Sequence, residues 1–139
     1  MSWILQQIKE TCHTKNNSSR SMDVERFQKL IEWVDYNESH LSILQQAWNN
    51  ESFWPFLSTS EATEQVGTDI NMLIRLSNSR PGAITVTRAA KSVHSQMTHI
   101  VKHKRYLPSA QHGKVTLAGS WGFREVTWDG LIQHLVQKV

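Results

Sequence analysis

The chain has 139 residues, a formal net charge of +3, six tryptophans, four phenylalanines and one cysteine. That length suits one domain with a real core, a lone thiol excludes an intrachain disulfide framework and makes the cytoplasm the default location, and no apolar run approaches the roughly 20 residues needed to cross a bilayer. The opening MSWILQQIKETCH has neither a basic leader nor a small-residue cleavage pattern, so a secretory signal is not expected.

Residues 2–10 and 23–49 read as helical. Val24, Phe27, Leu30, Ile31 and Val34 recur at helical spacing, as do Leu41, Leu44 and Trp48 after a break near Asn37–Ser39, with a polar linker over Thr14–Ser21. Amphipathic helices of this kind cover a sheet or a partner domain, so residues 1–50 are read as an N-terminal helical extension and 51–139 as the second segment of one compact unit. From Glu51 the order is a short aromatic strand (Phe53, Trp54, Phe56), a helix opening at Ser58 or Ser60 and running to Val66, and a strand centred on Arg75. A turn at Pro81–Gly82 leads to a strand over Ala83–Thr87, a loop through Ser95, a strand near Met97–Leu107, a turn at Gln111–Lys114 and a strand over Val115–Leu117. A helix over Thr127–Val136 ends the order, with Trp128, Leu131, Ile132 and Leu135 on one side. The fold class is therefore α+β, a central antiparallel sheet flanked by helices.

The segment NMLIRLSNSRPGAITVT, Asn71–Thr87, carries the chemistry. Ile74 and Leu76 share one strand face, so Arg75 projects from the other face of a largely buried strand. Arginine keeps its proton, and its planar fork of donors matches two oxygens of one phosphate, so a buried guanidinium calls for an anion. Ser77, Asn78 and Ser79 follow with hydroxyl, amide and turn N–H donors. The competing reading is an edge-strand arginine whose head reaches water. Charge distribution favours the anion: Ile70–Arg124 holds nine basic residues and no aspartate or glutamate, leaving Asp69 and the flanks as the nearest carboxylates.

Other chemistries fit less well. A phosphatase-type cysteine would need an arginine six residues on, where Cys12 has Ser18. His99 and His103, with His94 or His112, have spacing that binds zinc on a helix, but the segment reads as a strand, so neither metal nor cofactor is expected. Lys102–Arg105 is a basic strand suited to phosphate backbones, which makes nucleic-acid binding the alternative function, although aromatic residues do not interleave with it.

The succession of elements from Ser52 to Val139 resembles the Src homology 2 domain, the module that binds phosphotyrosine peptides. MLIRLSNSRPG is similar to that family's strand, phosphate-binding arginine and phosphate loop, VKHKRYL to its fourth strand, and VTWDGLIQHL to its second helix; Trp54 and Ala62 resemble its opening tryptophan and first-helix alanine. The resemblance implies a non-catalytic reader in which Arg75 grips phosphate, Ser77 and Ser79 donate to it, and the N–H groups of Asn78–Arg80 complete the cradle. His103 and Arg105 would flank the phenol ring, with His99 as the rival histidine. Arg80 or Arg105 would supply a second cation, because Ser58, Thr59 and Ser60 stand where the family often has an arginine. Lys104, Trp121 and Phe123 are the peptide-contact candidates, the two aromatics also being readable as core plugs. The implied partners are tyrosine-phosphorylated proteins or peptides. Selectivity is expected to be broad, because the chain ends just after its last helix. The helical extension on a free-standing domain is also similar to Src homology 2 effectors that bacterial pathogens deliver into the host cytoplasm.

Overall fold

The computed structural model describes residues 3–12, 22–66, 70–92, 95–119 and 122–137. The polar linker expected over Thr14–Ser21, together with Asp69 and Trp121, lies outside them. Three helices come first: α1 (Trp3–Cys12), α2 (Val24–Val34) and α3 (Glu38–Ala47). The Asp23 carboxylate caps α2 by accepting the Arg26 N–H at 2.8 Å. Helix α2 ends where Asp35 and Tyr36 turn left-handed at φ 53° and 54°, and Asn37 opens α3 by accepting from the N–H groups of Ser39 and His40. The break between the two helices thus falls just before the expected Asn37–Ser39.

The predicted aromatic strand is reduced to one parallel bridge between Phe53 and Ile74. The segment still runs beside the sheet edge, with Trp54 N–H donating to Ile74 O at 2.8 Å, Ile74 N–H to Ser52 O at 2.7 Å and Leu76 N–H to Pro55 O at 3.2 Å. Helix α4 (Thr59–Gln65) starts at Ser58 with a reciprocal capping box to Glu61.

Strands β1 (Met72–Leu76), β2 (Ile84–Ser92) and β3 (Ser95–Tyr106) form an antiparallel sheet in that order, and β4 (Val115–Gly119) pairs with β5 (Gly122–Val126) as a hairpin before α5 (Trp128–Gln137). Two expectations are corrected here. The loop expected from Arg88 through Ser95 is largely strand, because β2 continues in register with β3 from Ile84↔Tyr106 to Lys91↔His99. The segment before the last helix, expected as a loop, contains β5; its side chains from Gly122 to Arg124 are exposed, so it carries no buried alternation to announce a strand.

The sheet separates two apolar layers. On one face Ile74, Leu76, Ile84, Val86 and Tyr106 join Ile8, Leu30, Trp33, Leu41 and Leu44 from α1–α3 and Trp128, Leu131 and Leu135 from α5 in one continuous core. Phe53 sits edge-on between Trp48 and Trp128, with ring centroids 6.1 and 5.6 Å away, contacts that each contribute about 0.5–1.5 kcal/mol beyond area burial. On the other face Leu73 packs with Ala62 and Val66 beneath α4. The helices of residues 1–50 therefore share a core with the sheet of the second segment.

One glycine seats the loop between β1 and β2 against the N-terminal helices. Gly82 has φ +77°, and a Cβ there would fall on the His40 imidazole of α3. Gly82→Ala should lower unfolding stability by about 1–3 kcal/mol in urea titrations, from strain and clash together; an unchanged midpoint would contradict this packing.

Candidate functional site

The α4 face of the sheet is polar where it leaves Leu73. Two cross-strand rungs define it: Leu73 lies opposite Thr87, which lies opposite His103, and Arg75 lies opposite Thr85, which lies opposite Arg105. Because side chains alternate along a strand, these residues share one face while Ile74, Val86 and Tyr106 enter the core behind them. The loop after β1 folds over the end of this face, closed by Ser77 N–H donating to Ala83 O at 3.0 Å.

On this face, beneath the loop, lies an open cavity of about 420 Å³. Its cations are Arg75 and Arg105, its hydroxyls come from Thr59, Ser77, Ser79 and Thr85, and Asn78 and His103 complete the wall. Arg75 is 6% exposed, and among the described residues no carboxylate pairs with it. Burial pushes the guanidinium below its ordinary range, a cost that no anion among the described residues offsets. Its partners are hydroxyls: Nη2 donates to Thr59 Oγ1 at 3.1 Å, and Nε makes a long contact of 3.5 Å to Thr87 Oγ1. Among the described residues none of its nitrogens is both sealed from solvent and unpartnered, so its remaining donors open onto the cavity.

The hydroxyls orient His103. Thr63 Oγ1 donates to the Thr59 carbonyl at 2.8 Å, which leaves it to accept from His103 Nε2, 3.3 Å away. His103 Nδ1 is then the acceptor for the Thr87 hydroxyl at 2.9 Å, and Thr87 Oγ1 in turn accepts from Arg75 Nε. Burial first, and the Arg75 charge second, hold the imidazole below its ordinary pKa of 6.5, which keeps the ring neutral as this chain requires.

On the loop side, Arg105 Nη1 donates to Ser79 Oγ at 2.9 Å, and the Ser77 and Ser79 hydroxyls lie 3.2 Å apart. Among the described residues the backbone N–H groups of Asn78, Ser79 and Arg80 have no intramolecular acceptor. Two guanidinium groups, a rim of hydroxyls and the free N–H groups of Asn78 and Ser79 gather donors suited to a compact anion with several oxygens.

Six of the predicted site residues thus meet in one cavity: Arg75, Ser77, Asn78, Ser79, His103 and Arg105. Arg80 does not join them; it lies on the far side of the loop, in a smaller groove with Lys29, Glu32 and Trp33 of α2. Lys104 is on the opposite sheet face, its Nζ 5.2 Å from the centre of the Tyr106 ring, as strand alternation dictates for a neighbour of His103 and Arg105. Phe123 is 80% exposed on β5 and does not line the cavity, so it is not a core plug. His99 pairs with Lys91, four positions along β3 from His103. At about 3.3 Å per residue their backbone positions stand roughly 13 Å apart along the strand. Among the described residues no three His, Cys, Asp or Glu side chains converge on a metal position.

Sequence reasoning missed four hydroxyls, Thr59, Thr63, Thr85 and Thr87. Thr85 and Thr87 had a signal, alternation with Ile84 and Val86; Thr59 and Thr63 depend on how α4 lies over β1. Cys12 is buried in α1, and burial pushes its thiol up to about 12, so it stays protonated at neutral pH. Among the described residues no helix is long and apolar enough to cross a membrane.

The oriented chain predicts an NMR signature. His103 should carry its proton on Nε2 with Nδ1 bare and titrate below 6.5, and Arg75→Gln should raise that midpoint by removing the nearby charge. Because the folded midpoint is depressed, this histidine disfavours the fold as pH falls from 6.5 through that midpoint. A proton on Nδ1, or an ordinary midpoint, would contradict the arrangement.

Compared with known proteins, the chain matches no family model and no curated protein.

Proposed function

We propose that this protein is a non-catalytic reader of phosphotyrosine, holding the phosphate on Arg75 and the Ser77–Arg80 loop with His103 and Arg105 beside the phenol ring. The observation that carries the reading is a buried arginine, without a carboxylate partner among the described residues, at the floor of a cavity rimmed by hydroxyls and a second arginine. A phosphate monoester dianion is the ligand that this donor set satisfies most fully, since one guanidinium edge engages two of its oxygens and the hydroxyls and N–H groups reach the third.

The order of elements supports the same reading. An edge segment at Phe53, helix α4, three antiparallel strands, a hairpin and helix α5 follow one another as in the Src homology 2 domain, which the chain resembles in its MLIRLSNSRPG motif. Thr59 stands near the position where that family often has a helix arginine, and its hydroxyl accepts from Arg75. Arg105, already bonded to the loop through Ser79, supplies the second cation instead. With so many polar contacts gathered at the phosphate, selectivity for the neighbouring residues of the peptide is broad.

Charge-assisted hydrogen bonds contribute about 1.5–3 kcal/mol each, so Arg75→Ala should weaken phosphotyrosine-peptide binding by roughly 3 kcal/mol or more, over 100-fold. Lys104→Ala, altered on the opposite face, should change affinity less than about threefold. Calorimetric titration of the folded variants, with unphosphorylated peptide as control, checks both. Equal affinity for wild type and Arg75→Ala would sink the assignment, and salt-sensitive binding of oligonucleotides without response to phosphotyrosine would replace it with nucleic-acid binding.

A further inference from the structure

We infer that helix α2 is part of the anion site, and that Trp33 is a positioning residue that fixes the base of the phosphate loop; the binding consequence rests on the function proposed above. The loop between β1 and β2 meets α2 at its closing end. Trp33 is 4% exposed, its indole Nε1–H donates to the Ala83 carbonyl at 2.7 Å, and its own carbonyl accepts the Gly82 N–H at 3.0 Å. The same Ala83 carbonyl accepts the N–H of Ser77, the first loop residue to line the cavity. One carbonyl oxygen therefore joins the indole of α2 to the start of the loop.

The helices hold the loop at its base, while its tip is tied to β3 through Arg105 and Ser79. His40 of α3 packs beside the Trp33 ring with centroids 6.0 Å apart, its Nδ1 is 3.0 Å from Val34 O, and its ring fills the space against Gly82. Beyond this anchor a groove of about 130 Å³ separates α2 from Asn78–Pro81. The tip, with its three unpartnered N–H groups, is set over Arg75 by what happens at Gly82 and Ala83. Removing the indole N–H leaves the Ala83 carbonyl with one donor fewer and frees the loop base to shift, which misplaces donors that act only when they converge on the same oxygens.

Trp33→Phe removes the donor and keeps an aromatic ring against His40. Trp48→Phe is the matched control: Trp48 is a fully buried indole in the same core, and among the described residues its Nε1 has no hydrogen-bond partner, so it takes no part in the loop's bonding. Both variants should lower the thermal midpoint. Only Trp33→Phe should weaken phosphotyrosine-peptide binding, by about 5- to 20-fold, and only it should speed hydrogen exchange of the Ser77 amide. Unchanged affinity in Trp33→Phe while wild type binds, or equal losses in both variants, overturns the inference. If wild type binds no phosphotyrosine the proposed function falls, and exchange then decides the positioning role alone: faster exchange at Ser77 in Trp33→Phe only upholds it, and equal exchange in both variants overturns it.

Discussion

A guanidinium buried without a carboxylate partner among the described residues is the constraint from which the rest of the site follows. Arg75 is the fourth of the five residues of β1, with apolar residues before and after it, and its partners among the described residues are two threonine hydroxyls. Hydroxyls satisfy hydrogen-bond geometry but do not neutralise charge, so the folded protein retains an electrostatic deficit at this point. The deficit is confined by structure. Leu73 and α4 close one end, the Ser77–Ala83 loop closes the other, and Arg105 adds a second positive charge two strands away. A cavity so arranged is preorganised for an anion, because the cost of desolvating Arg75 is met during folding rather than at binding.

Preorganisation extends into the first fifty residues. The three N-terminal helices cover the face of the sheet behind Arg75, sharing Ile74, Leu76 and Ile84 with α5 in one core. From that layer α2 reaches the loop through Trp33 and α3 reaches it through His40. The helices thus serve a site on the opposite face of the sheet, acting through the loop that wraps around its edge. The hydrogen-bond chain through the Thr59 carbonyl, the Thr63 and Thr87 hydroxyls and the Arg75 guanidinium likewise orients His103 in one tautomer.

Much of the cavity was legible in sequence because it is local. Arg75, Ser77, Asn78 and Ser79 lie within five residues, and strand alternation around Ile74 and Leu76 suffices to aim the arginine away from the core. His103 and Arg105 share a face by the same alternation, but choosing His103 over His99 needs the β2–β3 register, which pairs His103 with Thr87 and His99 with Lys91. Arg80 was misplaced because a turn residue has no alternation to direct it, and the groove that receives it is built by α2. The contact between Trp33 and Ala83 spans fifty residues of sequence and left no local mark. Strand β5 was invisible for the opposite reason, since Phe123 and Arg124 are exposed and only pairing with Ala118 and Leu117 makes them a strand.

The most direct test of the central claim is an NMR titration of the wild-type protein with phosphotyrosine, following the Arg75 side-chain Nε–H, the amides of Asn78–Arg80 and the His103 ring. The account predicts that all three respond together at one affinity, and that the His103 midpoint rises as the bound dianion offsets the Arg75 charge. Shifts confined to Lys102 and Lys104 on the opposite face, with the Arg75 Nε–H unmoved at saturation, would contradict it.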